Sequence, residues 1–141
     1  MEKLPIKTKI AAWWMIIEGI IGILGVLFII GFTFYFCCFF WKNISFSEFV
    51  EYFFEAFSPK MIYLLIIPLS LSMLFILSGV FLLKKKKESL GLSIIVIFLG
   101  MIASLFAPEK DFSIIFENIL LSLIPLILLL LDRKNFFKVA K

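Results

Sequence analysis

Four long apolar segments constrain the fold of this chain more than any other feature of its sequence. The segments cover about residues 10–40, 60–83, 90–106 and 113–131. Their centres carry no charged residue apart from Glu18 in the first segment. About 20 apolar residues suffice to cross the hydrocarbon core of a bilayer. Of the 141 residues, 63% are hydrophobic and 17% are charged, and so short a soluble chain has too small an interior to hide that surplus. We therefore predict an all-α, polytopic membrane protein whose single domain, residues 1–141, is a bundle of four transmembrane helices.

The basic residues indicate how such a bundle lies in the membrane. Eleven of the 14 Lys and Arg residues come before the first segment, between the second and third, or after the fourth. The positive-inside rule then predicts a multi-pass cell-membrane protein with cytoplasmic N- and C-termini and with residues 132–141 as a cytoplasmic tail. Since the net charge of +4 arises from residues that flank apolar segments, it indicates membrane orientation, and nucleic acid is not expected as a partner.

A run of four lysines lies between the second and third segments. The connection is so short that these two helices must form an antiparallel hairpin. We interpret the run chiefly as an anchor of the topology, and we also expect anionic lipid headgroups to bind to Lys84, Lys85, Lys86 and Lys87.

Residues 45–57 show a different pattern, which is typical of an amphipathic helix. Phenylalanines recur there at helical spacing, while the glutamates fall on the opposite face. Ser45 and Glu48 have the spacing of an N-terminal capping box, and Ser58-Pro59 has the sequence of a further helix start. We predict an interfacial helix on the outer face that acts as a structural lid over the bundle. Docking of a partner or shielding of a substrate is the alternative function of this helix.

Glu18 is the ionisable residue that lies deepest in a predicted span, which makes it the main candidate for a functional site. An acid in a transmembrane helix costs about 2.5–3.5 kcal/mol on insertion scales, so such a residue usually has a role. Ser78 and Ser93 lie at comparable depths, and Pro125 deprives the Leu121 carbonyl of its helical partner. We predict that these groups form a polar cluster. Glu18 then either fixes the helix register by a hydrogen bond or serves in transport, proton transfer or ligand binding.

Two further features accompany this acid. Gly19, Gly22 and Gly25 form a ridge of small residues beside it, at a spacing that lets another helix approach closely. We interpret that ridge as a helix-packing surface. Lys7 and Lys84 are alternative partners for the acid, since long basic side chains can reach inward from the interface.

Several kinds of chemistry are not expected. The chain has no histidine, and its two cysteines are the adjacent pair Cys37 and Cys38, so no metal site is predicted. Neighbouring cysteines of one helix point in different directions, and the C-x-x-C spacing of disulfide oxidoreductases is missing. We predict no enzymatic activity and no cofactor.

Parts of the sequence resemble known kinds of membrane protein. The stretch GVFLLKKKKESLGLSIIVIFLG and the ending LLLLDRKNFFKVAK resemble small uncharacterised four-helix integral membrane proteins of bacteria and archaea. The segment AAWWMIIEGIIGILG is similar to the first span of the small multidrug resistance transporters, in which a glutamate binds protons and cationic drugs in a dimer. That resemblance assigns the role to Glu18. The long first segment and the amphipathic helix depart from the transporter family.

These observations predict a non-enzymatic integral membrane protein, either an accessory or scaffold subunit or one that binds a partner or lipid. A small proton-coupled transporter or a ligand-binding membrane protein that uses Glu18 is the alternative. The expected partners are membrane lipids, together with another protein or further copies of the chain in the membrane.

Overall fold

Helices account for nearly all of the described chain. The structure, a computed structural model, describes residues 4–40, 45–55, 65–106 and 112–140. These residues contain no strand, and their helices are α1 (Ile6–Phe40), α2 (Phe46–Glu55), α3 (Ile67–Leu83), α4 (Ser89–Leu105) and α5 (Phe112–Val139). The predicted all-α fold is confirmed.

Two of these helices are long and apolar enough to cross a membrane. They are α1, through its 31-residue stretch Ile6–Phe36, and α5, through its 25-residue stretch Ile115–Val139. The helices α3 and α4 are also apolar but have 17 residues each. The predicted helix start at Ser58-Pro59 and the beginning of the predicted second span lie outside the described residues. Within the described chain, two of the four predicted spans therefore have a spanning length.

Prolines mark the starts of two helices. α1 begins at Ile6, before the predicted residue 10, and the carbonyl of the preceding Pro5 accepts the Lys9 N–H at 3.0 Å. α3 begins at Ile67 after a short π-helical stretch, with Pro68 in its first turn. N–H groups of a first turn have no partner within the helix, so a proline there costs no helical hydrogen bond.

The last helix extends well beyond the predicted fourth span. α5 continues to Val139 and so includes most of residues 132–141, which the sequence predicts as a cytoplasmic tail. Asp132 and Phe136, one helical turn apart in that segment, are both buried. Because two of its side chains are buried, this segment is a packed part of α5.

The four longest helices pack side by side. α1 lies against α3 and α5, and α4 lies against the same two helices. α1 and α3 are antiparallel, because Gly79 late in α3 lies against Ala12, whereas Ser72 early in α3 lies against Gly22. The end of α5 is hydrogen-bonded to the start of α1. These contacts bring four helix termini together at what we call the basic end, which holds Lys7, Lys9, Lys84, Lys85, Lys86, Lys87, Arg133, Lys134 and Lys138.

The buried core lies toward the basic end. Its apolar side chains come from all four helices and include Ala12, Met15, Leu82, Leu90, Val96, Leu129 and Phe136. The half of α1 farther from the basic end differs, since several of its side chains are more than half exposed, among them Leu24, Leu27, Phe28 and Phe32. The described helices therefore pack tightly at the basic end and leave the far half of α1 largely uncovered.

The connection between α3 and α4 opens with a Schellman motif. The Lys86 N–H donates to the Phe81 carbonyl at 3.2 Å, and the Lys85 N–H donates to the Leu82 carbonyl at 3.0 Å. Lys85 has a φ of 57°, the left-handed conformation that this position requires and that glycine usually supplies. In place of the apolar contact common in this motif, the Lys86 ammonium lies 4.4 Å from the centroid of the Phe81 ring. The motif reverses the chain at once, as the short connection demands.

Candidate functional site

Glu18 lies in α1, about 18 Å from the start of that helix at 1.5 Å per residue. Its side chain is partly buried, and its Oε2 atom is shielded from solvent without a hydrogen-bond partner among the described residues. A shielded carboxyl oxygen that no N–H or O–H approaches is costly. Glu18 is therefore a structurally unsatisfied acid and stays a candidate for binding.

The predicted serine partners are not hydrogen-bonded to Glu18. Ser78 is fully buried but donates within its own helix, to the carbonyl oxygens of Leu74 at 2.7 Å and Phe75 at 3.1 Å. Ser93 is also fully buried, and its Oγ has no partner among the described residues. Two buried oxygens, one in α1 and one in α4, are thus left without a partner.

Pro125 lies inside α5 and is fully buried. Because proline has no N–H, the Leu121 carbonyl receives no hydrogen bond from the residue four positions later. The Leu121 side chain is 44% exposed. α5 therefore carries one backbone acceptor that its own helical geometry leaves open.

The glycine ridge of α1 contacts α3 over part of its length. A Cβ added to Gly19 would lie 2.6 Å from both the Ser72 carbonyl oxygen and Ile76 Cγ1, and one added to Gly22 would overlap the Ser72 hydroxyl. A Cβ added to Gly25 would meet no described atom within 4 Å. The close approach thus involves the first two glycines, and the packing role predicted for Gly25 has no counterpart among the described residues.

Asp132 of α5 caps the N-terminus of α1. Its Oδ2 accepts the Thr8 backbone N–H at 3.0 Å and the Thr8 hydroxyl at 3.4 Å, while its Oδ1 accepts the Asn135 side-chain amide at 3.3 Å. Thr8 is in the first turn of α1, where the N–H has no helical partner and the helix dipole favours a negative charge. The sequence gives no local signal for this cap, because a cap supplied by a distant helix has no fixed spacing.

Ser122 of α5 lies at the depth of Glu18. The capping contact joins Thr8 to Asp132, and from that contact Glu18 is ten residues along α1 while Ser122 is ten residues back along α5. Both helices rise by about 1.5 Å per residue, so the two side chains reach the same level. Ser122 is 6% exposed. Its level relative to the candidate acid depends on the register between two helices, which a single sequence does not reveal.

A cleft of about 520 Å³ lies beside the capping contact at the basic end. Lys7 lines it from α1 and Lys138 lines it from α5, and neither forms an ion pair with a described residue. Asp132, by contrast, is engaged by three hydrogen bonds. The cleft therefore combines two cations with one satisfied carboxylate, and its full lining is Pro5, Ile6, Lys7, Asp132, Asn135, Lys138 and Val139.

The four predicted headgroup lysines all lie at the basic end, in different surroundings. Lys84 is the C-terminal cap of α3. Lys85 has the left-handed backbone conformation, and its side chain is partly buried. Lys86 stacks over an aromatic ring, and Lys87 is exposed. Three of them, Lys84, Lys86 and Lys87, are thus open to a headgroup layer.

α2 begins with the capping box that the sequence predicts. The Ser45 N–H and hydroxyl donate to Glu48 Oε2 at 2.7 and 2.8 Å, and the Glu48 N–H approaches Ser45 Oγ at 3.3 Å. The backbone bond from Ser45, and then its hydroxyl bond, lower the pKa of Glu48 from its ordinary value of 4.5. The Phe46 ring meets the Phe34 ring of α1 edge-on, with 5.5 Å between centroids. α2 thus contacts the far half of α1 through this ring pair.

The far half of α1 carries an exposed row of aromatic rings. Phe28, Phe32 and Phe36 recur every four residues, and successive ring centroids are 6.1 and 6.2 Å apart. Their side chains are 72%, 57% and 50% exposed. We call them the phenylalanine row. Since α1 is apolar on every side, the sequence pattern alone does not distinguish this face from the others.

Glu18 and the cleft at the basic end are the two polar candidate sites of the described chain, and the phenylalanine row is an apolar candidate surface. The first offers an acid without a partner, and the second offers two cations beside the apolar side chains of Pro5, Ile6 and Val139. Comparison of the chain with protein-family models, with curated proteins and with solved structures finds no match.

Proposed function

We propose that this chain is a polytopic membrane protein that acts without enzymatic chemistry, as an accessory subunit that binds a partner within the membrane. Exposure supports the membrane location, because only 22% and 28% of the residues in an apolar 18-residue window of α1 and of α5, respectively, are buried. The core helix of a soluble protein would be mostly buried. Lipid tails would cover this surface without exposing it to water.

Four spans, formed by α1, α3, α4 and α5, are supported by the packing. α3 and α4 are each about 25 Å long at 1.5 Å per residue, close to the roughly 30 Å of a hydrocarbon core. α3 lies against α1 and α4, and α4 lies against α3 and α5, so each of them packs against one of the two longer helices. The sequence is already apolar from Met61 onward, ahead of the described start of α3. In this arrangement the basic end faces the cytoplasm and both termini lie there, as the positive-inside rule requires.

The observation that carries the accessory role is the phenylalanine row. Lipid tails accept any apolar side chain, so they do not require aromatic rings at a regular spacing. Aromatic rings lose little rotamer freedom on contact and offer a large rigid surface. The four-residue spacing of the row matches the ridges by which a second helix packs. The row therefore favours a transmembrane helix of a partner protein as the bound group.

Site-specific photo-crosslinking in native membranes tests this proposal. A benzophenone amino acid replaces Phe32 in one variant and Ile95 of α4 in the control, since these side chains are 57% and 58% exposed. We expect a discrete protein adduct from position 32 alone. An adduct of twice the 16.3 kDa chain mass identifies the partner as a second copy. Lipid adducts alone, or equal protein adducts at both positions, contradict the proposal.

A second candidate function, binding of a cation by Glu18, is favoured by the unpartnered Oε2 of that residue. Tetraphenylphosphonium is a suitable probe, because it is a lipophilic cation that can reach an acid within the membrane. We expect Glu18→Gln to abolish its binding to the purified protein in nanodiscs, measured by calorimetry. Glu117→Gln, an exposed acid in α5, is the matched control and should bind as the wild type does. Equal binding by all three proteins eliminates this candidate.

A further inference from the structure

We propose that the cleft at the basic end binds the phosphate group of a membrane phospholipid. The cleft lies between the first turn of α1 and the last turns of α5 and is distinct from the four-lysine turn. This assignment relies on the membrane location proposed above but on nothing about a protein partner.

Charge favours an anion in the cleft. Lys7 and Lys138 line it from two different helices and form no ion pair with a described residue. The carboxylate of Asp132 does not neutralise them, because it is 6% exposed and already accepts from Thr8 and Asn135. A phosphate oxygen between the two ammonium groups would form charge-assisted hydrogen bonds with both lysines. The second N–H of the Asn135 side chain adds a neutral donor on the same wall.

Depth favours a lipid as the source of that anion. The apolar segment of α1 begins near Ile10, and the apolar segment of α5 ends near Leu131. The residues that line the cleft, within 5–7 and 132–139, lie just outside these two limits. The cleft therefore opens where the hydrocarbon of a bilayer meets its headgroups, which is the layer that contains lipid phosphates.

The apolar wall also favours a lipid over free phosphate. Ile6 is 77% exposed beside the two lysines, and Pro5 and Val139 continue the same wall. Free phosphate gains nothing from such a surface. The glycerol and upper acyl carbons of a phospholipid would cover it while the phosphate lies between the ammonium groups. The cleft thus offers both cationic and apolar side chains, which match the two chemical parts of a phospholipid.

Native mass spectrometry of the purified full-length protein in detergent tests the assignment, with dioleoylphosphatidylglycerol as the probe. We expect one bound lipid per chain, and an affinity that falls about tenfold in the double variant Lys7→Gln/Lys138→Gln, which removes both charge-assisted bonds. The matched control is Lys9→Gln/Lys134→Gln, which removes equal charge from the same two helices at exposed residues outside the cleft. The control should bind the lipid as the wild type does, and Lys138→Arg should retain binding.

Two further ligands distinguish a phospholipid from an uncharged lipid and from free phosphate. Dioleoylglycerol, which lacks the phosphate, should not bind at the same concentration, and inorganic phosphate should not displace the lipid. An equal loss in both double variants would show a general charge effect and overturn the proposal. Displacement by inorganic phosphate would assign the cleft to the free ion instead. Failure of crosslinking at Phe32 would leave these outcomes unchanged, so the two proposals fail independently.

Discussion

At the scale of single residues, the capping carboxylate of Asp132 has the clearest expected effect on stability. It reaches the Thr8 N–H across 124 positions of the chain, and Thr8 is fully buried. Asp132→Ala leaves that N–H without an acceptor. Loss of an N-terminal cap costs about 0.5–2 kcal/mol, and an unsatisfied buried donor costs about 1–3 kcal/mol. We expect the free energy of unfolding in detergent to fall by about 2 kcal/mol, measured by denaturant titration with circular dichroism.

Two variants control this prediction. Asp132→Asn keeps an oxygen that accepts the Thr8 N–H, so its loss should be smaller than that of Asp132→Ala. Lys134→Ala changes an exposed neighbour on the same helix and should leave stability within about 0.5 kcal/mol of the wild type. An equal effect of Asp132→Ala and Lys134→Ala would mean that the cap contributes nothing.

Lys85 provides a second test at this scale, with the opposite sign. Its φ of 57° suits glycine, and a residue with a Cβ pays roughly 1–2 kcal/mol in the left-handed region. We expect Lys85→Gly to raise the free energy of unfolding by about 1 kcal/mol in the same titration. Lys87→Gly is the control, because Lys87 has a negative φ and gains nothing from glycine. If Lys85→Gly is less stable than the wild type, the lysine side chain stabilises the protein by more than the strain of its left-handed backbone destabilises it.

The candidate residues differ in how far the sequence reveals them. Glu18 is evident because one charge in a long apolar run is conspicuous whatever its neighbours are. Asp132 is not evident, because its role comes from Thr8 of α1, which lies 124 positions away. The prediction that pairs Glu18 with Ser78 rests on depth alone. Depth does not determine which way a side chain points, and Ser78 donates within its own helix.

At the scale of helices, the contact of α1 with α3 is tested at its glycines. A Cβ at Gly19 would lie 2.6 Å from a backbone oxygen of α3, which cannot move without shifting the helix. We expect Gly19→Ala to destabilise the protein by about 1–3 kcal/mol, as overpacking generally does. Gly25→Ala should be neutral or stabilising by up to about 1 kcal/mol, since its Cβ meets no described atom and alanine favours a helix. Thermal unfolding of both variants in one detergent provides the comparison.

The start of α2 is expected to respond to pH. Its capping box lowers the pKa of Glu48 below the ordinary value of 4.5 in the folded helix. The contribution to stability is therefore fully present above pH 4.5 and is lost as the pH falls through the lower folded value. We expect the amide chemical shift of Ser45, followed by NMR in nanodiscs, to report loss of the cap in that acidic window.

Substitution of the acid separates this transition from general effects of low pH. Glu48→Gln keeps an acceptor for the Ser45 N–H but does not titrate, so its Ser45 signal should stay constant through the same window. Glu51→Gln, an exposed acid of the same helix, should retain the transition. Identical titration curves for the wild type and Glu48→Gln would exclude the capping carboxylate as their cause.

The sequence predicts helices more reliably than it predicts where they end. Long apolar segments and a capping box suffice for the all-α fold and for the start of α2, because both depend on neighbouring residues. The end of α5 at Val139 depends instead on tertiary packing of Phe136, which is fully buried although it follows a charged sequence. The apolar segment of the sequence ends at the charged residues. The helix continues beyond them, because side chains on one of its faces are still buried.

At the scale of the whole molecule, the order of the helices is the feature that the sequence leaves open. Every segment is apolar on most sides, so no single apolar face shows which side of a helix packs against which other helix. The structure supplies that order, with α1 and α4 each packed against both α3 and α5. The same contacts put most basic residues at one end of the described bundle, while the orientation that the positive-inside rule predicts stays a prediction.

Cysteine labelling decides between four spans and two. In a background with Cys37 and Cys38 replaced by alanine, single cysteines are placed at Lys87, Lys138 and Glu51, and intact cells are treated with a membrane-impermeant maleimide. Four spans put the connection between α3 and α4 in the cytoplasm, so we expect labelling of Glu51→Cys alone, with the other two labelled after permeabilisation. If α1 and α5 alone crossed the membrane, α3 and α4 would remain on the outer side and Lys87→Cys would be labelled in intact cells. Labelling of Lys138→Cys in intact cells would show that the orientation is reversed. The basic end would then face the outside of the cell and not the cytoplasm.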